Sequence, residues 1–447
     1  WERVLLNQFH DIIPGSSIRE VYEDSARDYA EVLGAATRLR AAAAKALLPA
    51  TGKGSRVLAL NTLGWPRREV GTVDGSPAFV EAPALGYAVT APVRDTTAPV
   101  TVRRAKAGFV LENGLVIATF DAQGRLVSFF DKRHARETLS GRGNQFVLFD
   151  DLPVLFDAWD VDAYHLEKRE PVGRAKTMRI VENGPLRATV ELAMTINARA
   201  SLVQRITLHA ESPRLDFAVT ADWREKNRFL KVEFPLALRS DHATYEIQFG
   251  HVRRPTHFNT SWDMARFEVC AHRWADLSEP GYGVALLNDS KYGYACHGNV
   301  LRLSLLRAPK TPDAHADMGE HRFRYALFPH AGGPQAGGVI PEAAAFNQPL
   351  QVFKTSSPAR SVSFLSLDNP AVVPDTIKKA EDSDALIVRL HESHGGHQTA
   401  VLSCVGLTAA RRVDLLERNP APVPVSGGQI TLALRPFEIL TLEVTIS

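Results

Sequence analysis

The sequence predicts a mainly β protein: an N-terminal two-helix remnant of a helical bundle, then antiparallel β-sandwich domains. Three observations predict it. Helical periodicity is confined to residues 1–50. Beyond them, apolar residues alternate with a period of two over many short runs. The 27 prolines and 30 glycines fall largely between those runs, where the chain must turn.

The elements follow in order. In WERVLLNQFHDII, Trp1, Leu5, Phe9 and Ile12 recur at helical spacing, and Pro14-Gly15 stops the helix. Ser17 has the place of an N-cap and Glu20, three positions on, completes a capping-box pattern. From Ile18 through Val21, Tyr29, Leu33, Leu39 and Leu47 runs a single apolar stripe, so a long helix is expected to return antiparallel to the first. Two such helices leave apolar surface open and need a further partner. PATGKGSR, residues 49–56, reads as a linker. Then Val190, Leu192, Met194 and Ile196 share one strand face, as do Leu215, Phe217, Val219, Ala221 and Trp223. Near the end Ile430, Leu432 and Leu434 alternate, and Leu440, Leu442, Val444 and Ile446 resume after Arg435-Pro436. Asn113-Gly114 between two such runs signals a hairpin. The expected division is a helical segment at 1–50, a small β domain at 51–105, a large β-sandwich at 106–345 and a C-terminal β domain at 346–447.

Composition excludes some partners. The formal net charge is only +2, with the basic residues scattered, which argues against nucleic-acid binding. No run approaches the ~20 apolar residues of a membrane helix. Cys270, Cys296 and Cys404 lie far apart and are odd in number, so a reducing, cytoplasmic location is expected. The chain opens on Trp1 rather than Met and is expected to be a piece of a longer polypeptide.

His10 and Asp11 draw the chemistry. On an ideal helix each residue advances about 100°, so with Trp1 at zero, Leu5 falls near about 40° and His10 near about 180°. His10 then points away from the helix's own apolar stripe, and Asp11 points elsewhere. One reading is a solvated histidine beside a helix-end carboxylate. The other is a ligand facing another body, and a metal needs three or four such ligands. HESHGGH, with His391, His394 and His397, is a weaker metal candidate because Gly395-Gly396 reads as a turn. In the β region, DDLPVLFDAWDVDAYH gathers acids around Trp159. Carboxylates accept hydroxyl protons and an aromatic ring covers the apolar face of a sugar. Asp157, Trp159 and Asp160 are therefore candidates for sugar contact, against the alternative of a polar loop with Trp159 plugging a sandwich edge.

The stretch LLNQFHDIIPGSSI resembles the signature of glycoside hydrolase family 38, the retaining, zinc-dependent α-mannosidases. Further stretches resemble, in order, the β region of that family's bacterial and cytosolic-type branch, among them FDAWDVDAYH, LKVEFPL, GEHRFRYALFPH and RPFEILTLEV. The resemblance implies that His10 is one of four zinc ligands and that Asp11 contacts the bound sugar's hydroxyls. It implies that the other ligands and the nucleophile belong to an N-terminal β/α barrel without a counterpart here. Zinc is thus expected in the full-length enzyme and not stably in this fragment, which is expected to be inactive alone. The implied substrate is a mannose-containing oligosaccharide; a homo-oligomer is compatible with the resemblance. The alternatives are a non-catalytic carbohydrate-binding or scaffold module, and an independent metalloenzyme built on His391–His397.

Overall fold

The computed structural model describes residues 1–47 and 54–447, so most of the linker expected at 49–56 lies outside the described residues. It is mainly β, as expected, with helices at the N-terminus. Helix α1 (Glu2–Leu6) and helix α2 (Arg19–Leu47) form the helical pair. α1 is shorter than the periodicity predicts. After Leu6 the chain continues as tight turns, in which the amides of Ile12 and Ile13 both donate to the Phe9 carbonyl. Asn7 marks the change. Its side-chain amide donates back to the Arg3 carbonyl at 2.8 Å and across to Asp28 Oδ2 on α2 at 3.1 Å. An Asn side chain bonded in this way competes with continued helix. The capping box is not used either. α2 begins at Arg19, and the Ser17 hydroxyl donates to the Asp11 carbonyl at 2.7 Å.

α2 buries little of its stripe. Ala44 is its one fully buried residue, and it packs with Leu47 against Leu58, Tyr87 and Val89. Farther back Leu33 and Leu39 are 64% and 71% exposed, and Trp1, just before α1, is 94% exposed. The helical pair therefore presents an uncovered apolar face.

The small sheet has the order Gln351–Thr355, Arg56–Asn61, Gly86–Thr90, Arg360–Ser363, with a hairpin of Arg67–Val73 and Ser76–Ala82 beside it. It is thus not confined to 51–105, because two strands arrive from beyond the large sandwich. The reason is burial: Arg56–Asn61 is covered along most of its length and so requires a hydrogen-bonding partner on both edges. Residues 351–363, expected in the C-terminal domain, supply both outer strands of this sheet, Gln351–Thr355 beside Arg56–Asn61 and Arg360–Ser363 beside Gly86–Thr90.

Three sheets, of nine, six and five strands, enclose one large core. Here the period-two reading holds residue by residue. Leu215, Phe217, Val219, Ala221 and Trp223 are all buried, as are Val190, Leu192, Met194 and Ile196. The Asn113-Gly114 hairpin forms, with Asn113 Oδ1 accepting from the amides of Leu115 and Val116. A second sandwich of three and five strands closes the chain, burying Ile430, Leu432, Leu434, Leu440, Leu442 and Val444, whereas Ile446 is exposed at its end.

Two buried polar clusters lock the large sandwich. His330 Nε2 lies 2.7 Å from Asp276 Oδ2, and Ser278 Oγ donates to the same carboxylate at 2.5 Å. Gly283 leaves room for them, since a Cβ there would collide with Ser278 Oγ and the His330 ring. In the second cluster Lys231, fully buried in the strand Arg228–Pro235, donates to His165 Nε2 at 3.1 Å and Glu268 Oε2 at 2.5 Å. His165 Nδ1 donates to the Asp162 carbonyl at 2.8 Å, so its neutral tautomer is defined by its partners. Lys231 thereby ties the loop ending at His165 to the segment ending at Glu268.

Gly283→Ala is expected to destabilise the chain by about 1–3 kcal/mol through overpacking. A fall in the thermal midpoint checks it, and an unchanged midpoint contradicts it. Burial, then the Lys231 charge, lowers the His165 pKa from 6.5 to about 4. A lowered folded value means the stabilisation is complete above pH 6.5 and is lost as pH falls from 6.5 towards 4, by at most about 3 kcal/mol. Scanning calorimetry at about pH 7.5 and pH 4.5 should show a smaller acid-induced drop in His165→Phe than in the unaltered chain. Equal drops would contradict this assignment.

Candidate functional site

The turn between α1 and α2 is held by one carbonyl. Asp11 O accepts from Ser17 Oγ at 2.7 Å and from the Tyr22 hydroxyl at 3.2 Å. The same hydroxyl accepts from the Ser17 amide at 2.7 Å. Burial raises the Tyr22 pKa, which keeps the phenol protonated and able to donate. With its backbone fixed in this way, the turn sends both side chains outward. The His10 side chain is 68% exposed and that of Asp11 40%, with His10 Nε2 3.4 Å from Asp11 Oδ2. The Phe9 ring centroid lies 4.3 Å from that of His10 and supports it from one side. The expectation that Asp11 points away from His10 is corrected: it assumed helical geometry, and this segment is a turn, which brings the two groups together.

An imidazole and a carboxylate side by side suit a metal ion or a cluster of hydroxyls. They supply two donors, whereas a zinc centre takes three or four from protein. Among the described residues no group of three or more His, Cys, Asp or Glu comes together in a way that could hold a metal ion. His391, His394 and His397 do not gather. His391 is buried within the strand Leu386–Glu392, its ring edge-on to Phe249, and Gly395 turns the chain at positive φ.

The acidic loop is organised by Arg307, which the sequence reading offered only as a weak candidate for lining the cleft. Arg307 makes a two-pronged ion pair with buried Asp151, Nε to Oδ2 at 2.7 Å and a terminal nitrogen to Oδ1 at 3.0 Å. It also donates to the carbonyls of Asp157 at 3.1 Å and Asp160 at 2.8 Å. Asp157 is corrected as a sugar contact. Its Oδ1 accepts from Asn227 at 3.1 Å, and its Oδ2 from the backbone amides of Lys310 and Thr311. Both oxygens are committed to holding the loop. Trp159 is 58% exposed and plugs no sandwich edge; Asp160 is half-buried beside it. Around them Val154, Leu155 and Phe156 are also exposed, at 78%, 62% and 70%. This crown and the His10–Asp11 pair share no hydrogen bond or ion pair among the described residues. The organising role of Arg307 was not readable locally, because its partners precede it by about 150 positions, as the separation of 156 from Asp151 illustrates. Among the described residues no helix is long and apolar enough to cross a membrane.

Comparison with known proteins agrees with this layout. Residues 1–47 match the alpha mannosidase middle domain, 111–315 the glycosyl hydrolases family 38 C-terminal domain, and 371–442 that family's C-terminal beta sandwich domain. The chain is 44% identical to alpha-mannosidase 2C1 of Homo sapiens over 468 residues, covering 100% of itself and 45% of that protein. It is 34% identical to alpha-mannosidase G of Dictyostelium discoideum, covering 99% of itself and 47% of that protein. For an alpha-mannosidase of Saccharomyces cerevisiae the figures are 33%, 99% and 43%. The chain thus spans less than half the length of the curated relatives it matches. In fold it resembles a crystal structure of an alpha-mannosidase from Enterococcus faecalis V583, with a TM-score of 0.81 at 16% identity, over 99% of this chain and 62% of that one. The helical pair, the large sandwich and the closing sandwich each carry the family's own pattern, and the chain belongs to glycosyl hydrolase family 38, as its middle and C-terminal portion.

Proposed function

We propose that this chain is part of a retaining, zinc-dependent α-mannosidase that hydrolyses terminal α-mannosides of oligosaccharides. The observation that carries the reading is the turn at His10 and Asp11. Two outward, adjacent, unscreened donors sit on a helical pair whose apolar face is uncovered. Such a surface suits a second body that completes both the packing and the ligand set. The names of the relatives support the substrate class, and the length those relatives have beyond this chain leaves room for a catalytic barrel.

In this reading His10 offers one metal ligand, and Asp11, within 3.4 Å, accepts a hydrogen bond from a sugar hydroxyl next to the metal. Zinc, when bound, would hold neighbouring hydroxyls of the sugar. Two donors do not hold it alone, and the isolated chain is inactive. Retention of configuration requires a nucleophilic carboxylate and an acid–base carboxyl, about 5–5.5 Å apart. Neither is assigned to this chain. Trp159 and Asp160 offer an apolar face and an acceptor for a sugar, and Asp157 acts by fixing their loop. The free state of Cys270, Cys296 and Cys404 is in keeping with a cytoplasmic location.

The test compares the chain with a longer polypeptide from the same gene. The longer form should hydrolyse an aryl α-mannoside, and this chain should not. In the longer form His10→Ala and Asp11→Asn should each lower kcat/KM by about 10²-fold or more, as loss of a metal ligand or its neighbour does. Turnover by the isolated chain, or full activity of both variants, would overturn the proposal.

A further inference from the structure

The large sandwich meets the closing sandwich along a seam that holds His251, His391 and His394. From the large sandwich comes the hairpin of His242–Ile247 and Gly250–Pro255, at one edge of the nine-stranded sheet. Its tip crosses to the closing sandwich in two reciprocal ring pairs. Phe249 lies edge-on to His391, with 5.5 Å between centroids, and His251 lies edge-on to Phe437 at 5.1 Å. The fit is close. A Cβ at Gly250 would stand 2.7 Å from the Phe437 ring, and one at Gly395 2.8 Å from the same ring. On the far side one buried carboxylate holds the two loops together. Glu392 accepts from the amides of His394 and Gly395 at 2.8 Å and of Phe437 at 2.9 Å.

The seam is built for neutral rings. Gln335 Nε2 donates to His251 Nε2 at 2.9 Å, so that ring nitrogen is an acceptor. A proton on it would set N–H against N–H until the amide turned over. His391 is buried, and its Nδ1 has no partner among the described residues and no access to water. An imidazolium carries N–H on both nitrogens, so a charged His391 leaves a donor bare inside the closed seam. Water reaches that donor only when the seam opens. The charges facing the rings do not reverse this. Burial is the largest influence on all three and lowers each pKa below the usual 6.5. Against it, Asp375, Glu246 and Glu392 favour a charged His391, which Arg273 opposes. Glu392 favours a charged His251 and His394; at His251 a hydrogen bond to the His394 backbone adds to this and the His394 charge opposes it. A folded value below 6.5 means that closure is fully supported above pH 6.5 and weakens as pH falls below it.

We propose that this seam is an acid-sensitive joint: protonation of His251, His391 and His394 releases the closing sandwich from the large one while both sandwiches stay folded. The joint requires nothing of the activity proposed above.

Hydrogen exchange of the purified chain at about pH 7.5 and about pH 5.5, each rate divided by the intrinsic rate at that pH, tests it. A ring whose pKa returns to about 6.5 on opening favours the open seam by up to about tenfold at about pH 5.5. Peptides spanning 246–252 and 434–440 should therefore lose about tenfold or more of their protection on acidification. The interior strand segments 215–223 and 430–434 should remain at least about tenfold better protected than the seam at the lower pH. His251→Gln combined with His391→Leu should remove most of the seam's loss and leave any change in 215–223 as it was. His251 is only partly buried, so His251→Gln alone, expected to reduce the loss about threefold, carries the test if the double variant fails to fold. Equal seam protection at both pH values, a loss undiminished in a folded variant, or interior strands that exchange as fast as the seam at the lower pH would each overturn the proposal.

Discussion

An apolar face has to be covered, and this chain meets that constraint in one half and not in the other. The β half closes on itself. Faces such as Leu215, Phe217, Val219 and Trp223 meet across the large core, and the closing sandwich repeats the arrangement on a smaller scale. The helical half has a stripe of similar character with almost nothing against it beyond Ala44. The outward His10 and Asp11 belong to that uncovered half, which is why one proposed neighbour would serve both packing and chemistry.

Polar clamps set the functional surfaces on this scaffold. Each works from a buried or half-buried anchor towards an exposed loop. Asp11's carbonyl and the Tyr22 hydroxyl fix the turn, Arg307 gathers the acidic loop through Asp151, and Lys231 ties His165 to Glu268. Buried pairs of this kind contribute little net stability, but removing one partner leaves a charge without compensation, at about 3–5 kcal/mol. Their role here is to hold backbone in place, so that a few side chains can remain free and exposed.

Much of this was legible in the residues. Period-two alternation identifies the core faces correctly because burial on one side of a sheet leaves that trace. The pairing of His10 with Asp11 also stood out, although the helical geometry assumed for it was wrong. Asn7 ends the helix through contacts with Arg3 and Asp28, and the second of these is tertiary. Ser17 and Glu20 look like a cap, but the hydroxyl found a better partner in the turn. The strands at Gln351–Thr355 and Arg360–Ser363 could not be assigned to the small sheet, because pairing across a whole intervening domain leaves no local pattern. Asp157 looked free for the same reason, since Asn227 and the amides at Lys310 and Thr311 are remote in sequence.

The account stands on His10 being one ligand of a metal centre that the 447-residue chain does not complete. Metal analysis after exhaustive dialysis tests it most directly, with the longer polypeptide, its His10→Ala variant and this chain measured together. The account predicts about one zinc per longer polypeptide, a tenfold or greater loss of affinity in the variant, and no stoichiometric zinc on this chain. Zinc held at fixed stoichiometry by this chain alone, or retained undiminished in the variant, would contradict it.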